Sequence, residues 1–120
     1  VPLYGGINQL GPTIPSVEIT GTSQQASVNT KYLTNNASLV TITLPASANI
    51  GEQVLVRGKG AGGWKLVQNG GQTIHGASDT TTGTGGYLAS QTSRDTVTIE
   101  CTTANTDFLI IAGRGTLTYG

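Results

Sequence analysis

The sequence predicts an all-β fold, and three observations carry that prediction. Apolar and polar residues alternate with a period of two in short runs, as in Val40-Thr41-Ile42-Thr43-Leu44 and Val97-Thr98-Ile99-Glu100-Cys101. That period belongs to a strand with one covered face. Turn-forming residues recur at the all-β spacing of roughly 8–12 residues. No stretch long enough for a helix keeps a helical period free of Gly and β-branched clusters. Together these point to a small antiparallel β-sandwich or β-prism of about eight to ten short strands.

The elements follow in order. Residues 1–16, VPLYGGINQLGPTIPS, carry Pro2, Pro12 and Pro15, which forbid a helix and punctuate any strand. Leu3, Tyr4, Ile7, Leu10 and Ile14 follow no period, so this segment is expected to be an extended arm that packs onto something, ahead of a head domain over residues 17–120. Val17 and Ile19 open the alternation, Val40 to Leu44 continue it, and Pro45 ends that strand. Three apolar runs, Val54–Val56, Trp64–Val67 and Phe108–Ile111, are expected to be buried on both faces. Val97, Ile99 and Cys101 share one face, which makes Cys101 a buried thiol behaving as a small hydrophobe. Leu117 and Tyr119 form a last strand that ties the C-terminal end into a sheet. Asn69-Gly70 is the strongest hairpin signal, since a type I′ turn needs φ > 0 at both central residues.

Composition narrows the function classes. The chain has 120 residues, one domain's worth. Charged residues are 10% of it, six basic against six acidic, where an ordinary domain has about 25%. A net charge of +0 excludes the basic footprint of a nucleic-acid binder, and the absence of a long apolar run speaks against membrane insertion. Polarity comes from 20 Thr, 8 Ser, 7 Asn and 7 Gln. One cysteine and one histidine exclude a disulfide framework and the usual Cys/His metal sets, so neither metal nor cofactor is expected. A chain without methionine that starts at Val1 is expected to be a processed product or a fragment.

Several motifs suggest chemistry and are better read otherwise. Gly58-Lys59-Gly60-Ala61-Gly62-Gly63 matches G-x-G-x-x-G after an apolar strand. A dinucleotide loop needs a helix N-terminus immediately afterwards to hold the phosphates. Here Trp64-Lys65-Leu66-Val67 follows, another strand, so the motif is a Gly-rich connector that binds no nucleotide. His75, Ser78 and Asp79 lie close in sequence, yet no nucleophile elbow accompanies them. Glu18, Glu52, Asp79, Asp95, Glu100 and Asp107 are the carboxylates from which a glycosidase pair would have to come, and Arg94-Asp95 reads more simply as a turn or local ion pair. Asn36-Ala37-Ser38 is a glycosylation sequon only in a secreted eukaryotic chain. The aromatic rings available for stacking on sugars are those of Trp64, Tyr87, Tyr32, Tyr4 and Tyr119. Core filling is the simpler role for Trp64. Tyr87 leaves the Gly-rich loop Ser78 to Gly86, where backbone freedom, Asp79 and four threonines coincide, and His75 precedes that loop. The candidate ligand-binding residues are therefore Tyr87, Asp79, His75 and Trp64, and no catalytic residue is expected.

The stretch from Trp64-Lys65-Leu66-Val67-Gln68-Asn69-Gly70-Gly71-Gln72-Thr73-Ile74, through Thr81-Thr82-Gly83-Thr84-Gly85-Gly86-Tyr87-Leu88-Ala89-Ser90 and Asp95-Thr96-Val97, to Cys101-Thr102-Thr103-Ala104-Asn105-Thr106-Asp107-Phe108 is similar to C-terminal β modules of phage tail fibre and tailspike proteins. The likeness covers about Trp64 to Leu117 and carries no catalytic motif. It implies a homotrimeric tip on a virion that attaches to a host-surface polysaccharide or other receptor, without enzymatic activity. A small Thr- and Gly-rich domain with few charges has reason to gain burial by oligomerisation. Two other functions fit the composition: a glycan-degrading enzyme acting through the carboxylates and His75, and a structural virion or adhesin module with no ligand of its own.

Overall fold

The computed structural model describes residues 14–120. Of the expected arm, residues 1–13 lie outside the described residues. Among the described residues eleven strands form and no helix: β1 (Ser16–Ile19), β2 (Ser23–Gln25), β3 (Thr30–Thr34), β4 (Val40–Thr43), β5 (Gln53–Gly58), β6 (Trp64–Val67), β7 (Thr73–His75), β8 (Tyr87–Ser90), β9 (Thr96–Thr103), β10 (Asp107–Arg114) and β11 (Leu117–Tyr119). They make two sheets, one of six strands ordered β1-β3-β5-β9-β10-β7 and one of five ordered β11-β8-β6-β4-β2. The all-β expectation holds, as does the tie of the last strand into a sheet.

The expected antiparallel arrangement does not hold for the first half of the chain. β1 pairs with β3 and β3 with β5 in parallel, and so do β2 with β4 and β4 with β6. Each connection carries the chain across the core into the opposite sheet, so a strand returns beside the one two places earlier and runs the same way. A parallel pair needs a crossover, and here a strand of the other sheet supplies it. The result is a flattened coil. The second half closes it with antiparallel pairs, β5 with β9, β9 with β10, β6 with β8 and β8 with β11, while β7 lies parallel to β10.

Asn69-Gly70 illustrates the difference. A turn does form there, closed by the Gln72 N–H donating to the Asn69 carbonyl at 3.1 Å. The residue with positive φ is Gly71 (82°) rather than the pair a type I′ hairpin demands. The strands on either side, β6 and β7, belong to different sheets. Periodicity marks a reversal of direction, but not whether the next strand pairs with the last one or faces it across the core.

The core lies between the sheets. Val40, Ile42, Leu44, Trp64, Leu66 and Leu88 meet Tyr32, Val54, Val56, Ile74, Val97, Ile99, Cys101 and Phe108, all essentially without solvent exposure. Cys101 is a free, buried thiol, as its place in the alternation predicts. The runs expected to be covered on both faces are covered on one. Leu55, Lys65 and Val67 are half-buried, and Leu109 and Ile111 are 39% and 45% exposed. Two sheets enclose a single layer, so alternate residues of every strand must face outward. Val17, on β1 at the edge of the sheet among the described residues, is exposed where alternation predicts cover, whereas Ile19 is buried.

Candidate functional site

Trp64 and Asp95 explain each other. The Trp64 ring is fully buried, and its Nε1–H donates to the Asp95 carbonyl at 2.8 Å. Asp95 in turn closes the turn between β8 and β9: its carboxylate accepts from Gln91 N (2.8 Å), Thr92 N (3.0 Å) and the Thr92 hydroxyl (2.5 Å). Burial pushes its pKa upward, but these donors and the Arg114 charge outweigh that and hold it below the ordinary carboxylate range. The Arg94-Asp95 pair is thus a turn, as expected. Trp64 is a core residue with no ring face left for a ligand, so it leaves the set of candidate binding residues.

The G-x-G-x-x-G segment joins β5 to β6. Its N–H groups already have acceptors on the neighbouring turn of the coil: Lys59 N and Gly60 N donate to the Thr34 carbonyl (2.8 and 3.0 Å), and Gly62 N to that of Asn36 (3.0 Å). A Cβ on Gly60 or Gly62 would run into the backbone of Asn36 or Ser38. These glycines are needed for close approach of one turn to the next, and β6 begins directly after Gly63.

His75 ends β7 and sits at the edge of the six-stranded sheet. Its Nδ1 lies 3.3 Å from the Thr80 hydroxyl and its Nε2 3.6 Å from the Asp107 carboxylate. The structure therefore surrounds His75 with Thr80 and Asp107, rather than with Ser78 and Asp79. The neighbouring N–H groups are already engaged, Gly76 N with the Asp79 carbonyl (2.7 Å) and Thr81 N with that of Ile74 (3.0 Å). This local group thus offers no ready donor pair for an oxyanion. The carboxylates are mostly occupied structurally: Glu18 with Asn35 and Lys59, Glu52 with Asn49 N, Glu100 with Gln53.

The loop Ser78 to Gly86 is held from below by buried side-chain amides that belong to no sequence motif. Thr81 is buried; its hydroxyl accepts from Ile74 N (2.9 Å) and donates to Gln68 Oε1 (2.6 Å). Gln68 Nε2 donates to the carbonyls of Gln72 and of Thr82, the latter at 2.7 Å. Gln72 reaches the carbonyls of Pro45 (2.8 Å) and Asn105 (3.1 Å). A signal for Gln68 existed: Trp64, Leu66 and Gln68 continue one inward alternation. Above this clamp Thr82 to Gly85 are exposed, with Gly85 at φ 70°.

The remaining candidates separate around this loop. Asp79 is exposed and lies near the phenol of Tyr119, whose pKa is raised by burial and then by the Asp79 charge. Tyr87, half-buried, faces outward on the five-stranded sheet, where the Lys65 ammonium stands 4.1 Å from its ring centroid. The four predicted residues are not one constellation: Trp64 is inside, His75 is at one sheet edge, and Tyr87 is on the other sheet's outer face. Among the described residues there is no pocket, no cluster of metal-ligating side chains, and no helix long and apolar enough to cross a membrane. No protein-family model matches the chain, nor does any curated protein.

Proposed function

We propose that the chain is a non-enzymatic receptor-binding or capping module at the tip of a trimeric phage tail fibre or tailspike, attaching the virion to a host-surface glycan. The observation that carries this reading is the loop Ser78 to Gly86, whose exposed tip stands on the buried Gln68–Thr81 clamp. An exposed segment held by a rigid scaffold is the usual form of a recognition loop. Support for assembly comes from the outer face of the six-stranded sheet, where Leu33, Leu55 and Leu109 remain partly uncovered.

The test has two parts. Sedimentation at micromolar protein should give about three times the chain mass, and a monomer there removes the trimeric tip. The labelled protein should adsorb to some members of a panel of bacterial hosts. Thr84→Trp, at the exposed tip, should weaken that adsorption while leaving the melting transition within about 0.5 kcal/mol, as for a surface change. Unchanged adsorption moves recognition off the loop.

A further inference from the structure

The five strands of the smaller sheet contain a single charged residue, Lys65. It lies on β6, the middle strand, and points outward, because its neighbours Trp64 and Leu66 are wholly buried. The register sets its surroundings. Ser23, Thr41, Lys65, Ala89 and Thr118 form one outward row across the sheet, and Gln25, Thr43, Val67 and Tyr87 form the next. The face thus presents hydroxyl and amide groups, interrupted by Ala89 and Val67, around one central cation. Lys65 extends toward the diagonal neighbour Tyr87, and the ring restrains the ammonium.

We propose that this face binds an acidic oligosaccharide, with the Lys65 ammonium on a sugar carboxylate and Thr41, Thr43 and Gln25 toward its hydroxyls; this rests on the attachment reading above and names its ligand class. Charge decides the class. No acidic side chain lies in the strands of its sheet and no ion pair to Lys65 forms among the described residues, so the ammonium on the Tyr87 ring is open to an anion. The neutral hydroxyls around it suit a sugar more than a lipid or nucleic-acid phosphate run, which calls for several cations. Tyr87 acts as a positioning residue, since its ring is engaged by Lys65 rather than open for stacking.

An array of immobilised neutral, uronic-acid and sialic-acid oligosaccharides tests this with the full chain. Binding should favour acidic members and weaken as salt rises. Lys65→Gln should lose about tenfold or more in affinity, in line with a charge-assisted hydrogen bond. Lys65→Arg should retain most of it. Tyr87→Ala should weaken binding less than Lys65→Gln, and Tyr87→Phe should restore it. Binding confined to neutral members, no binding to any acidic member, or equal binding by wild type and Lys65→Gln overturns the proposal. Cell adsorption separates the two readings: if Lys65→Gln adsorbs like wild type, attachment stands and only this site falls. If neither protein adsorbs to any host, the attachment reading itself falls.

Discussion

The two outward faces of this molecule rest on one core but differ in chemistry. The six-stranded sheet holds Glu18, Lys31, Arg57, Glu100, Asp107 and Arg114, with Leu33, Leu55 and Leu109 among them. The five-stranded sheet has Lys65 alone, amid threonine, serine and glutamine. Apolar residues next to charges of both signs suit a protein contact, where leucines gain from burial and charges can find opposite partners. A hydroxyl-rich face with one cation has little to gain from such burial. The only buried side-chain nitrogen or oxygen without a partner among the described residues is Arg57 Nε, on the first of these sheets. Similar alternation thus produces unequal surfaces: the inward residues of both sheets are mainly hydrophobes, and the outward ones distinguish the two faces.

The largest effect comes from removing what both faces stand on. Trp64→Ala deletes the largest buried side chain and its bond to Asp95, and should cost about 3–5 kcal/mol. Denaturant unfolding measures it, and a loss under about 1 kcal/mol would mean that the sheets are not held together through this ring.

Asp95 joins the sheets, since its carbonyl holds Trp64 of one and its carboxylate orders the entry to β9 of the other. Asp95→Ala should cost roughly 1–3 kcal/mol, the usual penalty when donors lose their acceptor. The folded state favours the ionised form more than the unfolded chain does, so this stabilisation is complete above the ordinary aspartate value of about 4 and is lost as pH falls through the depressed folded value. Melting temperature followed from pH 6 to about pH 2 should therefore drop more steeply in wild type than in Asp95→Asn. Parallel curves would show that the carboxylate carries no such linkage.

The smallest effect on stability separates the faces directly. For the proposed trimer, Leu109→Glu on the six-stranded sheet should reduce the sedimenting mass toward a single chain, with folding stability changed by less than about 0.5 kcal/mol. Thr43→Glu on the opposite face should leave the mass unchanged. Equal loss of assembly in both variants would show that the faces do not differ in this respect.

How much of this was legible from the chain is clearest residue by residue. Alternation placed Val40, Ile42, Leu44, Val97, Ile99 and Cys101 inside, because side-chain direction in a strand depends only on local backbone geometry. The strand after Gly63 was enough to read the G-x-G-x-x-G segment as a connector. The same logic extended along β6 reaches the buried Gln68, although its partner Thr81 comes from beyond β7, thirteen residues further on. Pairing was not legible. Whether Asn69-Gly70 returns β7 beside β6 or sends it to the other sheet depends on which surfaces gain most by meeting, and that is a property of the whole core. For the same reason His75 found Thr80 and Asp107 instead of Ser78 and Asp79. By itself, then, the sequence determined the all-β class and the inward residues of most strands, since both follow from local periodicity. Only the tertiary structure decided the parallel coil, the burial of Trp64 against Asp95 and the isolation of Lys65, since each depends on strands brought together across the chain rather than along it.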